Sequence, residues 1–260
     1  MQTTKSADGT AIAYDRSGDG PPLVVAVGAF CDRGSFVPPD DLTSRFTVYT
    51  YDRRGRGDSG DTEPYSPELE IADLAAVAEV AAPGSEVFAY GHSSGGALVL
   101  RAAAQGVPLS AVASYEAPFI IPGSRTVAQD PASRIRELVA ADRRGDAVRY
   151  WMTEVVQAPA ELVTRMAASP MWPALEALTP TLPYDIALTG DQGVPAALSA
   201  IAVPVLVLGG GTSPDWFHRT VQETAAAIPG AKLIMMNGYG HGVPPEVVAP
   251  VLIEFFLGAS

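Results

Sequence analysis

One serine and one histidine stand out as residues that could carry nucleophilic chemistry. Ser93 lies in Gly91-His92-Ser93-Ser94-Gly95, which follows a short run of β-forming residues and precedes a helical pattern. A serine on such a turn is held in a strained conformation that exposes its hydroxyl, and glycines beside it let the backbone pass close by. We therefore interpret Ser93 as a candidate nucleophile, with a solvated serine in a glycine-rich loop as the alternative.

A serine hydroxyl needs a neighbouring base to take its proton. The chain has three histidines, at positions 92, 218 and 241. His92 precedes Ser93 on the same turn and His218 lies within a predicted helix, so we expect both to be surface or packing residues. His241 follows the last predicted strand, in a loop at the sheet edge where ligands bind in open parallel sheets. We predict that His241 is the base.

The elements that must position these residues alternate along the chain. Apolar strand patterns, separated by helical patterns, occur at residues 12–15, 23–27, 46–51, 87–90, 109–115, 203–208 and 232–236. This alternation predicts an α/β fold of right-handed βαβ units with a mainly parallel sheet.

The alternation stops between residues 119 and 199, where helical patterns are interrupted by prolines and no strand pattern is clear. We predict a core of residues 1–118 and 200–260, with a helical cap inserted at 119–199. The cap contains large, soft side chains that could line an apolar substrate pocket or merely pack on the sheet. These are Trp151, Met152, Met166, Met171, Trp172 and Tyr184.

Composition excludes several other classes of function. The 260 residues carry a formal net charge of −12, which argues against binding nucleic acid or anionic membranes. Cys31 is the single cysteine, so no disulfide within the chain can form. The first residues lack the apolar core of a signal peptide, and no apolar run reaches membrane length. We expect a cytoplasmic protein, and the composition leaves a homodimer open.

Three motifs, in this order, give the chain a resemblance to the α/β-hydrolase superfamily over nearly its whole length. They are the turn from Asp52 to Ser59, the Ser93 turn, and Gly238-Tyr239-Gly240-His241. The resemblance implies an eight-stranded, mostly parallel sheet flanked by helices, and a triad of Ser93, His241 and an acid. It also implies an oxyanion hole from the amide of Ser94 and that of Ala29 or Phe30. We interpret the arginine-rich turn at 52–59 as braced by internal ion pairs.

The acid departs from the pattern usual in that superfamily. Ser213 occupies the position, after the strand at 203–208, where the family usually has an aspartate. Asp215 lies two residues further on. Glu116 follows the strand at 109–115, where some lidded members of the family place their acid. We favour Glu116 as the acid of the triad and keep Asp215 as the alternative. A second alternative is that Glu116 is simply a solvated acid at the end of a strand.

This layout is similar to that of fungal lactonases that open zearalenone. It implies hydrolysis of a carboxylic ester or lactone of an apolar small molecule through an acyl-enzyme, with no metal or organic cofactor. Residues 51–55 also resemble cofactor-free haloperoxidases and perhydrolases, and C–C bond hydrolases share the scaffold. From a different class, the chain could be a non-catalytic small-molecule binder on a hydrolase fold.

Overall fold

A single eight-stranded sheet organises the computed structural model, which describes residues 1–126, 128–190 and 193–258. The strands are β1 (Gln2–Lys5), β2 (Ala11–Ser17), β3 (Pro22–Ala26), β4 (Thr47–Tyr51), β5 (Val87–His92), β6 (Leu109–Tyr115), β7 (Val205–Gly210) and β8 (Lys232–Met236). Their order is β1-β2-β4-β3-β5-β6-β7-β8. β2 pairs antiparallel with β1 and β4, and every other neighbouring pair is parallel. The predicted mostly parallel, eight-stranded α/β fold is confirmed.

Helices lie on both faces of this sheet and at its carboxyl end. They are α1 (Asp40–Thr43), α2 (Pro67–Ala81), α3 (Ser94–Ala104), α4 (Pro131–Ala140), α5 (Arg144–Tyr150), α6 (Ala160–Ala167), α7 (Trp172–Leu178), α8 (Leu182–Thr189), α9 (Asp215–Ala227) and α10 (Pro245–Gly258). α2, α3 and α9 bury apolar side chains in one core on one face, and α1 and α10 contribute to a second core on the other. The central strands are therefore covered on both sides, which explains why their sequences are continuous apolar runs.

Helices α4 to α8 lie in the segment that joins β6 to β7. Of these, α4, α5 and α8 contribute to a small apolar cluster that includes Ile135, Trp151 and Leu182, against which Ala29 and Phe30 of the loop after β3 also pack. The segment therefore contacts the carboxyl end of the sheet. Its boundaries as a cap over residues 119–199 stay a prediction.

No helix in the described part of the chain is both long and apolar enough to span a membrane. The cytoplasmic location and the homodimer also stay predictions.

Candidate active site

Ser93 lies on the sharp turn between β5 and α3. Its backbone has φ 56° and ψ −125°, a strained conformation for a residue with a side chain. Its amide donates to the carbonyl of Tyr115 at 2.8 Å, which ties the turn to β6. A Cβ at Gly28 would lie 2.8 Å from the Cβ of Ser93, and one at Gly95 would lie 2.2 Å from the carbonyl oxygen of Ala26. The strained serine is held because both glycines permit this close approach.

Glu116 follows β6 directly and is fully buried. Its Oε2 accepts a hydrogen bond from Nδ1 of His241 at 2.7 Å, and its Oε1 accepts one from the amide of Gly210 at 2.8 Å. Burial alone would raise the pKa of the Glu116 carboxyl, but these hydrogen bonds outweigh it and hold the pKa below its ordinary value. The carboxylate is therefore ionised at neutral pH. Because it binds Nδ1 of the His241 imidazole, it fixes the ring and leaves the other ring nitrogen, Nε2, outside this hydrogen bond.

Asp215, the alternative acid, is exposed at the first position of α9. Among the described residues it makes no hydrogen bond or ion pair with His241. The structure therefore brings Glu116 to the histidine and leaves Asp215 apart from it.

Two aromatic rings pack against the imidazole of His241. His92 and Phe217 each have a ring centroid 4.8 Å from that of His241. Nε2 of His92 donates to the carbonyl of His241 at 2.8 Å. Burial, reinforced by the charge of His241, lowers the pKa of His92 to about 4. His92 is therefore a neutral packing residue, as expected. The third histidine, His218, contacts the carbonyl of Gly210 through its own Nε2 at 2.9 Å.

The arginines of the turn after β4 position the loop that follows β3. Arg53, Arg54 and Arg56 are completely buried. Arg56 Nη1 donates to the carbonyl of Gly28 at 2.6 Å, and Arg53 Nη1 donates to that of Val27 at 3.2 Å. The peptide units beside Ser93 are thereby fixed in orientation by two buried guanidinium groups.

The predicted ion pairs inside this turn are wrong. Arg53 binds Glu70 and Arg54 binds Asp73, both on α2, each through two hydrogen bonds of 2.5–2.9 Å. The acids of the turn itself, at positions 52 and 58, pair with Arg33 instead. The turn is thus cross-linked to distant elements rather than braced within itself.

Asp185, from α8, was missed by sequence reasoning. It is 1% exposed and accepts hydrogen bonds from Ser94 Oγ at 2.6 Å, Arg53 Nη1 at 2.9 Å and Arg56 Nη2 at 2.8 Å. Burial would raise its pKa, but the positive charges of Arg56 and Arg53 hold the pKa below its ordinary value. One carboxylate thus joins the inserted helices to the residue after Ser93. The only sequence signal was a surplus of arginine over acid in the turn.

A cavity of about 400 Å³ opens above these residues. Ser93, His241, Ser94, Ala29 and Phe30 all line it. Among the described residues, the amides of Ala29, Phe30 and Ser94 donate no hydrogen bond within the protein. Donors of the kind an oxyanion requires are therefore available beside the serine hydroxyl.

The predicted pocket residues divide into two groups. Trp151 and Met152 line the cavity, whereas Met166, Met171, Trp172 and Tyr184 do not. Met171 is 65% exposed, Trp172 lies under the guanidinium of Arg149, and Tyr184 stacks on Tyr65 with centroids 3.9 Å apart. The prediction was wrong for these four, because short helices turn some faces to each other or to solvent. Missed apolar lining residues include Ile120, Val155, Leu162, Ile186, Trp216 and Phe217.

Within the described residues, no group of three or more His, Cys, Asp or Glu side chains could hold a metal ion.

A strained serine between a strand and a helix of a mostly parallel sheet, with a histidine at the same edge, defines a protein of the α/β-hydrolase class. The family model described as "Alpha/beta hydrolase family" matches residues 23–251. The chain belongs to this family, and its membership supports hydrolase activity.

Solved structures agree with this assignment. An α/β hydrolase from Sphaerobacter thermophilus DSM 20745 is 48% identical, with a TM-score of 0.92 and coverage of 98% of this chain and 100% of that one. A thermophilic esterase from Thermogutta terrifontis is 19% identical, with a TM-score of 0.76 and coverage of 100% and 99%. An enol-lactonase from Burkholderia xenovorans LB400 is 22% identical, with a TM-score of 0.70 and coverage of 99% of both chains. The last two share the fold. No curated protein matches the chain.

Proposed function

We propose that the protein hydrolyses a carboxylic ester or lactone of an apolar small molecule through an acyl-enzyme. The observation that carries this proposal is the 2.7 Å hydrogen bond from His241 Nδ1 to the buried carboxylate of Glu116, at the edge of a cavity that Ser93 also lines. The similar esterase and enol-lactonase folds support it.

In this mechanism Glu116 orients the imidazole and stabilises its protonated form, while Nε2 of His241 takes the proton of the Ser93 hydroxyl. Ser93 Oγ attacks the carbonyl carbon, and the negative charge on the carbonyl oxygen is met by the amides of Ser94 and of Ala29 or Phe30. His241 then gives its proton to the departing alkoxide, and a water molecule activated by the same histidine releases the acid. Among the described residues Ser93 Oγ makes no hydrogen bond to His241, and such contacts commonly tighten only when substrate binds.

The cavity wall supports the apolar character of the substrate. It is formed largely by aromatic and aliphatic side chains, among them Trp151, Met152 and Ile186. A volume of about 400 Å³ falls in the range of sites for small organic ligands.

A panel of chromogenic esters and lactones, run on the wild type and on Ser93→Ala, tests the proposal. We expect the substitution to lower kcat by about 10⁶-fold, the loss that removing the nucleophile causes in a serine hydrolase. A fluorophosphonate should phosphonylate Ser93 Oγ in the wild type with loss of fluoride, which adds the mass of the reagent less HF, and should leave Ser93→Ala unlabelled.

Ser199→Ala is the matched control, because Ser199 is exposed and its hydroxyl bonds, among the residues that the structure describes, only to the carbonyl of Ala196 in its own turn. It should keep wild-type activity. Undiminished turnover in Ser93→Ala would refute the mechanism. Turnover of acetate with peroxide would identify a perhydrolase, cleavage of a diketone a C–C bond hydrolase, and ligand retention without any turnover a binder.

A further inference from the structure

A second charged side chain lines the cavity and has no part in the proposed mechanism. Arg125 lies between β6 and α4, with its guanidinium carbon 4.1 Å above the centre of the Trp216 ring. Its Nη1 donates to the carbonyl of Val155. Its Nε is buried without a hydrogen-bond partner, and its Nη2 makes no hydrogen bond to any residue that the structure describes.

The cavity wall contains one carboxylate and one guanidinium, and they differ in whether a neighbouring side chain of opposite charge neutralises them. The carboxylate of Asp185 is neutralised by Arg53 and Arg56. Within the described chain, no carboxylate lies within ion-pair distance of Arg125. A guanidinium stays charged in proteins, and removing a cation from water without an anionic partner is costly. The face of Trp216 and one carbonyl offset only part of that cost.

A row of stacked rings also connects Arg125 to His241. Trp216 stacks on Phe217 with ring centroids 3.7 Å apart, and Phe217 stacks on His241 at 4.8 Å. The guanidinium is therefore at the far end of a continuous row of stacked groups that begins at the candidate base. Both ends of this row line one cavity, so a single ligand can follow it.

We propose that Arg125 binds a carboxylate of the substrate, so that the site prefers esters or lactones that carry a free carboxylate remote from the scissile carbonyl. The apolar wall holds the chain between the two groups, and the N–H groups of the guanidinium donate to the carboxylate oxygens. Half-esters of dicarboxylic acids are the simplest members of this class. The preference among ester and lactone substrates rests on the proposed function, whereas the binding of a carboxylate by Arg125 does not.

Matched substrates separate charge from shape. Mono-p-nitrophenyl adipate carries the free carboxylate, and methyl p-nitrophenyl adipate has the same chain with the charge removed. We expect wild-type kcat/KM to be at least about tenfold higher for the half-ester, and Arg125→Met to lower that value by about 10- to 100-fold, the range for a hydrogen bond to a charged group. The loss should appear mainly in KM, and the neutral diester should change less than about threefold.

Arg149→Met is the control, because Arg149 lies over Trp172 at 5.0 Å but does not line the cavity. It should leave both substrates unaffected, and Arg125→Lys should retain part of the preference. An equal loss for both substrates in Arg125→Met would show that Arg125 only fastens its loop, and would overturn the proposal. A wild type without preference for the half-ester would overturn it as well.

Calorimetry on Ser93→Ala makes the test independent of turnover, and its first comparison, adipate against dimethyl adipate, needs no Arg125 variant. Adipate should bind at least about tenfold more tightly than dimethyl adipate, and the Arg125→Met change should remove this difference. If adipate binds in this way while the wild type hydrolyses no ester, the proposed function fails and the anion site stands. Equal affinity for the two compounds would overturn the anion site alone.

Discussion

Two buried carboxylates lie near Ser93, and their surroundings differ. Glu116 pairs with His241, whose side chain is 38% exposed. Asp185 pairs with two arginines that are themselves completely buried. Both carboxyl pKa values are held below the ordinary value.

The difference lies in what each partner can do. An imidazole can gain and lose a proton near neutral pH, whereas a guanidinium cannot. The carboxylate beside the histidine can therefore support a reaction in which charge appears and disappears. The carboxylate beside the arginines keeps a constant charge and holds backbone in place.

The largest effect should come from removing the first carboxylate. Glu116→Gln keeps the shape but loses the charge that orients the imidazole, so we expect kcat to fall by about 10⁴-fold, the loss that the corresponding change of aspartate to asparagine causes in a trypsin-like enzyme. Asp215→Asn should stay near wild type because Asp215 is exposed on α9. Rates on the best ester of the panel check both values. The reverse outcome would make Asp215 the working acid.

Removing the second carboxylate should act on stability. Asp185→Asn leaves Arg56 buried with no carboxylate partner among the described residues. We expect the free energy of unfolding to fall by about 3–5 kcal/mol, the usual cost of breaking a buried ion pair. Urea denaturation measures this loss.

Asp146→Asn is the control for that experiment, because Asp146 belongs to an exposed pair with Arg143. It should change the free energy of unfolding by no more than about 0.5 kcal/mol. If Asp185→Asn were equally mild, the contrast between the two carboxylates would not hold.

The smallest effect is a dependence on pH. His92 has a pKa of about 4 in the folded protein and an ordinary value near 6.5 in the unfolded chain. Its neutral form therefore contributes stability that is fully present above about pH 6.5 and is lost as the pH falls toward about 4. Glu116 and Asp185 add a loss at still lower pH, since their folded pKa values are also depressed.

Unfolding free energies measured between pH 7 and pH 4 test this prediction. His92→Gln should flatten the slope over that window by up to about 1.4 kcal/mol per pH unit, the contribution of one proton. An unchanged slope would show that His92 is not held neutral.

Local patterns predicted the parts of the site that lie next to strands. The Ser93 turn, the loop of His241 and the strand end at Glu116 are each encoded within about ten neighbouring residues, and the sheet edge brings them together. Asp185 could not be found in this way because its partner Arg56 lies 129 positions away in sequence.

The side chains of the segment between β6 and β7 show the same limit of prediction from local sequence. The composition of the inserted segment predicts soft, bulky side chains, but it does not tell which face of a short helix points inward. Trp151 lines the cavity, whereas Trp172, on a later helix, packs against Arg149 outside it. Only the packing of the helices on each other determines that choice.

The position of Asp185 also bears on how such enzymes could be recombined. The segment between β6 and β7 resembles a removable module, yet it supplies the carboxylate that Ser94, Arg53 and Arg56 share. Grafting a foreign segment onto this sheet would therefore leave Arg56 with no carboxylate partner among the described residues, and Arg53 with Glu70 alone, beneath Ser93. A successful chimera would have to carry an acid at the position of Asp185, or replace Arg56 as well.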